Sequence, residues 1–282
     1  MARRLLQSQL FPPAWSLLLR LTFAVACLPL LFGCANMRTA PSLPEEAQLA
    51  REQLIVYSDF KLPKKHRLVE ELLALRGDVS RLLDVPVSDE PIHVYLFEDA
   101  RKYHEYIGKH YPDLQDRRAF FVETDTRLTV HAHWGDQVAE DLRHEVTHGY
   151  LHSVIPNMPL WLDEGLAEYF ETPRGWNGLH TAHVQLLDSL ANAGWQPNLA
   201  SLEGKTQLHE MTQQDYAEAW LWVHGLLSTT RERRLLLQNY LAVQRDQAQA
   251  PALSSALLAS EPDVSGQLLD HLRQLATASR VE

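Results

Sequence analysis

Between residues 53 and 133 short β-rich runs alternate with stretches of helical spacing. Residues 53–57, Gln-Leu-Ile-Val-Tyr, are apolar and β-rich, which predicts a first strand. Leu68, Leu72, Leu75, Val79, Leu82 and Leu83 recur at intervals that place them on one side of a helix over 65–83. Pro86 and Pro91 bracket a turn, a second strand is expected at 92–97, and a short helix at 100–110 stops at Pro112. Runs at 119–122 and 127–133 predict a hairpin about Asp125. In its second arm Leu128, Val130 and Ala132 face one way, and Thr129, His131 and His133 the other. A polar strand face near water accounts for those two histidines, and a strand bordering a cleft is the sharper alternative. Neither is assigned as a ligand.

From Asp136 the period becomes helical and stays so to the end, apart from a loop-like stretch near 195–210. Asp136 is placed to cap the first of these helices, whose apolar side is Val138, Leu142, Val146 and Gly149. Pro156 and Pro159 force a reversal into a helix at 160–171, which Pro173 and Gly175 end. Further helices are expected at 180–193, 213–229, 232–243 and 263–276. There is no internal repeat and no low-complexity run. The order predicts an α+β domain over 47–282, with a small sheet among helices in 47–155 and a mainly helical part in 156–282.

The N-terminus departs from this pattern. Arg3, Arg4 and Arg20 precede an apolar run at 21–32, too short to span a bilayer comfortably and suited to a signal-peptide core. It ends in Leu31-Phe32-Gly33-Cys34, which resembles a bacterial lipobox. The resemblance implies cleavage of residues 1–33, lipidation of Cys34, and anchorage in the bacterial cell envelope. Ala35 after the cysteine points to the outer membrane, facing the periplasm. Residues 34–46, with Pro41 and Pro44, read as a tether. Loss of 1–33 removes three Arg and no acid, which takes the formal charge from −10 to −13. Nucleic acid is not an expected partner of so acidic a chain. The two cysteines, Cys27 and Cys34, both lie in this segment, so a metal in the body must use His, Glu or Asp.

Such ligands occur together. His144-Glu145-Val-Thr-His148 places two imidazoles four residues apart on one helical face, with Glu145 about 100° round the helix and able to reach a water on a shared metal. A catalytic zinc needs a third protein ligand and one open position. After a spacer of fifteen residues comes Glu164, in Trp161-Leu-Asp-Glu164-Gly-Leu-Ala-Glu168, which offers two glutamates four apart on one face. With Glu164 as ligand, Glu168 one turn on is placed to accept a hydrogen bond from a ligating imidazole. Asp163 is the rival third ligand, with a shorter arm pointing about 100° away.

These motifs resemble the gluzincin metallopeptidases, and most closely the membrane-associated group called peptidase-MA-like. The resemblance is specific over 136–171 and looser over about 50–245. It implies a zincin-like fold, one Zn2+ ion held by His144, His148 and Glu164, Glu145 as general base, and Glu168 supporting a ligating histidine. It also suggests Tyr216, in Tyr-Ala-Glu-Ala-Trp220, as an oxyanion donor; a core stripe of Tyr216, Trp220, Val223 and Leu227 is the equal alternative. The spacer is shorter than in zinc aminopeptidases, and no Gly-Ala-Met-Glu-Asn-like strand is present, so aminopeptidase specificity is not implied. His152, His180, His183, His209 and His224 stay unassigned. The expected function is zinc-dependent hydrolysis of peptide or protein substrates. The alternative is a non-catalytic binding or scaffolding lipoprotein on the same fold.

Overall fold

The computed structural model describes residues 41–246 and 250–279. The expected signal peptide and the lipidated Cys34 lie outside the described residues. Among those described, no helix is long and apolar enough to cross a membrane.

The chain opens with a hairpin, β1 (Ala47–Arg51) and β2 (Leu54–Ser58), followed by helix α1 (Arg67–Leu83), strand β3 (Ile92–Phe97) and helix α2 (Ala100–His110). A second hairpin, β4 (Ala119–Thr124) and β5 (Arg127–His133), leads into α3 (Val138–His152). Helices follow to the end: α4 (Leu160–Phe170), α5 (Thr181–Asn192), α6 (Leu199–Glu203), α7 (Gln213–Ser228), α8 (Arg231–Asp246), α9 (Leu253–Ser260) and α10 (Val264–Ala278). The architecture is α+β with a five-stranded mixed sheet in the order β1-β2-β3-β5-β4. The central pairs β2–β3 and β3–β5 are parallel, and each hairpin adds an antiparallel edge.

Strand β1 was not expected, because Ala-Gln-Leu-Ala-Arg carries neither β-branched nor aromatic residues. It is specified by its partner: Leu49 pairs with Val56 and Arg51 with Leu54. The turn places Glu52 at φ 49°, and Arg76 of α1 bonds both Glu52 (3.0 Å) and Gln53 (3.1 Å). Helices α6 and α9 were also missed. The first is five residues long, and the second is a Leu, Ser and Ala run with no polar stripe to give a period.

One face of the sheet, with Val56, Ile92, Val94, Leu128 and Val130, belongs to the main core shared with α1 and α3. The alternate residues Tyr95, Phe97 and Phe120 form a second cluster with Tyr103, Tyr106 and Ile107 of α2. His131 is therefore not on a watery strand face, which corrects the expectation for that residue. It is 2% exposed and stacked on Phe120 at 4.9 Å and Tyr95 at 5.2 Å. Burial takes its imidazole down to about 4, so it is neutral at ordinary pH.

Helix α3 buries Val138, Leu142 and Val146 as its pattern requires, and Gly149 faces the Ile92 side chain. A Cβ at Gly149 would lie only 2.8 Å from Ile92 Cδ1, so glycine lets the helix sit close on the sheet. Asp136 does not cap it. The capping position is Gln137, with no side-chain hydrogen bond, because a turn closed by Val138 N–H to the Gly135 carbonyl delays the first helical residue. Helix α4 packs on α7 through Gly165, where a Cβ would fall 2.6 Å from the Ala219 carbonyl oxygen. That close crossing brings α4 and the first turn of α7 together beside α3.

Candidate metal centre

Arg143 holds the end of α4 onto α3 by donating to the Glu171 carbonyl while its other arm pairs with Glu71 of α1 at 2.8 Å. With the two helices fixed, His144 and His148 turn their Nε2 atoms towards one carboxylate. Glu164 Oε2 lies 3.5 Å from His144 Nε2 and 3.9 Å from His148 Nε2. Donors about 2.1 Å from a tetrahedral ion stand roughly 3.4 Å apart, and the ligand atoms of these three residues, all within 4.8 Å of one another, could hold a metal ion. The donor set also fits: two imidazoles and one carboxylate, all beside the core, with Glu164 4% and His148 6% exposed.

Each Nδ1 has its own carboxylate. Glu171 Oε2 accepts from His144 Nδ1 at 2.8 Å, and Asp163 Oδ1 from His148 Nδ1 at 2.9 Å. These bonds assign the proton to Nδ1 and leave Nε2 free for a cation. Both carboxylates reach onward to a second histidine. Asp163 Oδ2 bonds His152 Nε2 at 2.9 Å, and His152 Nδ1 bonds Glu123 of edge strand β4 at 2.6 Å. Glu171 Oε1 bonds His180 Nε2 at 2.9 Å.

Glu168 is hydrogen-bonded to neither His144 nor His148, which corrects the expectation for it. Its Oε2 is bonded to His183 Nε2 at 2.7 Å. The reason is rotational. At about 100° per residue, position 171 lies roughly 20° and Asp163 about 100° to one side of Glu164, whereas position 168 lies roughly 40° to the opposite side. The carboxylates flanking the ligand pair are thus 163 and 171. Asp163, the rival third ligand, faces Nδ1 of His148 instead of the shared Nε2 side.

The electrostatics follow from this pairing. Burial would raise the Asp163 carboxyl, but the charges and hydrogen bonds of His148 and His152 outweigh it and hold it far below its usual range. Burial likewise opposes Glu171, which His144 and His180 hold at about 2. Burial opposes protonation of His152, yet Asp163 and Glu123 carry its imidazole up to about 9. A histidine raised in the folded state stabilises it fully below the unfolded value near 6.5, and that contribution disappears as pH rises through 9. The metal-free chain should therefore lose melting temperature between pH 6.5 and 9, and His152→Gln should flatten that slope in a circular-dichroism series. An unchanged slope in the variant would refute the role of His152.

Glu145 sits beside the ligand pair, 8% exposed. Burial raises its carboxyl, and Glu164 adds to that, against the lowering charges of His144 and His148. Tyr216 opens α7 half-buried above the fully buried Trp220, Val223 and Leu227, so the core stripe is real and the tyrosine stands at its rim. Its hydroxyl is raised by burial and by Glu164, against a hydrogen bond from Arg117.

Arg117 was not foreseen. It lies in the connection before β4, in a polar stretch without periodicity, and folding brings it beside Tyr216, Glu164 and Glu145. Burial disfavours its charge, and the Tyr216 hydroxyl with those two acids more than compensates. Arg118 next to it is already engaged, with Asp141 at 2.7 Å. A cavity of about 260 Å³ opens between Arg117, Glu140, His144, Glu145 and Glu168. A larger one, about 670 Å³, lies over Tyr169 and Arg174 and contains none of the predicted site residues.

The sequence matches no protein-family model, and comparison with curated proteins finds no match.

Proposed function

We propose that the chain is a zinc-dependent hydrolase of peptide bonds with a zincin-like fold, of the gluzincin kind, lipid-anchored through Cys34 in the bacterial envelope. One observation carries this reading: two Nε2 atoms, each freed by a carboxylate on its Nδ1, stand 3.5 and 3.9 Å from a single oxygen of Glu164. His144, His148 and Glu164 would hold one Zn2+ ion, leaving a fourth position open. When bound, the ion supplies a Lewis acid that acidifies water and polarises a carbonyl.

The remaining work belongs to side chains. Glu145, with a carboxyl raised by burial, is suited to take a proton from the attacking water and deliver it to the leaving amine. Arg117 and the Tyr216 hydroxyl are the donors available to a carbonyl oxygen as it gains negative charge. Asp163 and Glu171 keep the ligating imidazoles oriented and basic. The partners are peptide or protein substrates and, through the lipid, a membrane; nucleic acid has no role.

The test is incubation of the purified chain with a peptide library, first as isolated, then with a chelator, then with Zn2+ restored. Cleavage that disappears and returns supports the proposal. Zinc-loaded protein that cleaves no peptide sinks it in favour of a binding or scaffolding role.

A further inference from the structure

A second group of ligand-type side chains lies one carboxylate away from the centre. Glu168-Tyr-Phe-Glu171 runs through the last turn of α4 to its C-cap, and His180-Thr-Ala-His183 runs from the N-cap of α5 into its first turn. Residues three apart share a helical face, so each end presents a pair. The turn between them, with Gly175, Asn177 and Gly178 all at positive φ, brings the two pairs face to face. His183 Nε2 is 2.7 Å and His180 Nε2 3.8 Å from Glu168 Oε2, while His180 Nε2 is 2.9 Å from Glu171 Oε1. The two imidazole rings are stacked, with centroids 3.7 Å apart and 15° between planes. The donor atoms of Glu168, His180 and His183 all lie within 4.8 Å of one another. These four side chains are only 11–20% exposed.

We propose that Glu168, His180 and His183, with Glu171 at their edge, form a second divalent-cation site, separate from the one built on His144, His148 and Glu164. Its mixed set of two imidazoles and one carboxylate suits a borderline ion such as Zn2+. The separations of 2.7–3.8 Å bracket the roughly 3.4 Å expected between neighbouring ligands of such an ion. Two carboxylates placed together near Glu140 and Glu145 also repel one another, and a divalent charge removes that conflict. The hydrogen bonds seen here satisfy the same groups with protons, and the cation replaces those protons. His180 must then carry its proton on Nδ1 and release the His183 N–H, which uncaps the start of α5 and is a cost the cation has to outweigh. Glu171 joins the two sites, since its Oε2 holds His144 and its Oε1 bonds His180. A cation there draws charge from the oxygen that supports His144, so the two sites are coupled.

The experiment counts metal on the full chain, stripped and then titrated with Zn2+, by mass spectrometry after gel filtration. Two equivalents are expected for the wild type, and one each for Glu164→Ala, for His180→Ala/His183→Ala and for Glu168→Gln. The last keeps the shape of the glutamate and a partner for His183, so it decides the matter if the double variant fails to fold. Wild-type counts in both the double variant and Glu168→Gln overturn the second site. A single wild-type equivalent that is lost with Glu164→Ala overturns it as well. A single equivalent lost with the double variant but kept by Glu164→Ala supports the second site and removes the first.

Discussion

Glu145→Gln is expected to keep the wild-type zinc content and melting temperature while peptide hydrolysis falls about 10²- to 10⁴-fold, the usual share of a general acid–base group. The amide retains the size of the carboxylate in a site where Glu145 is 8% exposed, so packing is preserved. It has no lone pair basic enough to take a proton from water. The side chain belongs to neither group of metal-facing atoms, His144, His148 and Glu164 or Glu168, His180 and His183, so metal content should not change. The measurement is a paired one: zinc per chain by mass spectrometry and initial rate on a peptide the wild type cleaves. A rate within a factor of a few of wild type would remove Glu145 from the mechanism.

The second large effect falls on the carboxylates behind the ligands. Asp163→Asn and Glu171→Gln should each weaken zinc binding by about 10- to 100-fold, read by competition with a coloured chelator. Each amide still fits, but it withdraws the negative charge that keeps Nδ1 protonated and Nε2 electron-rich. Asp163→Asn also strips His152 of one of its two acids, leaving it paired with Glu123 alone. Glu168→Gln serves as the contrast at the first centre alone, because Glu168 is bonded to His183 and not to His144 or His148: it should remove the second equivalent and leave the affinity of the first unchanged. Unchanged affinity in both Asp163→Asn and Glu171→Gln would mean that neither carboxylate tunes the centre.

What the sequence made legible follows from what is local. The i, i+4 histidines and the neighbouring glutamate need only one helix to be arranged, and α3 arranges them as their spacing requires. Strand β3 and helix α2 run over the expected residues, because apolar alternation and a proline stop are both written into the chain. The finer support of the site was less visible. Choosing between Glu168, Glu171 and Asp163 depends on the rotation of α4 about its own axis, which follows from its packing, locally through Arg143 of α3 and further along the chain through Gly165 against α7. Arg117 was invisible for a similar reason: its place beside Tyr216 joins a loop to a distant helix. His131 misled because alternation tells which residues share a face but not whether a helix covers it, and α2 does.

The centre also has an uneven pedigree along the chain. His144, His148, Asp163, Glu164 and Glu171 all lie on two helices joined by residues 153–159. Closing so short a loop costs little entropy, and contacts this local form early. The parts that would handle a substrate, Arg117 before β4 and Tyr216 on α7, meet only when chain segments far apart have docked. Metal capture and catalytic competence should therefore be separate events in refolding. In pulsed hydrogen exchange with Zn2+ present, amides of α3 and α4 should gain protection before those of α7, and recovery of activity should follow the later phase.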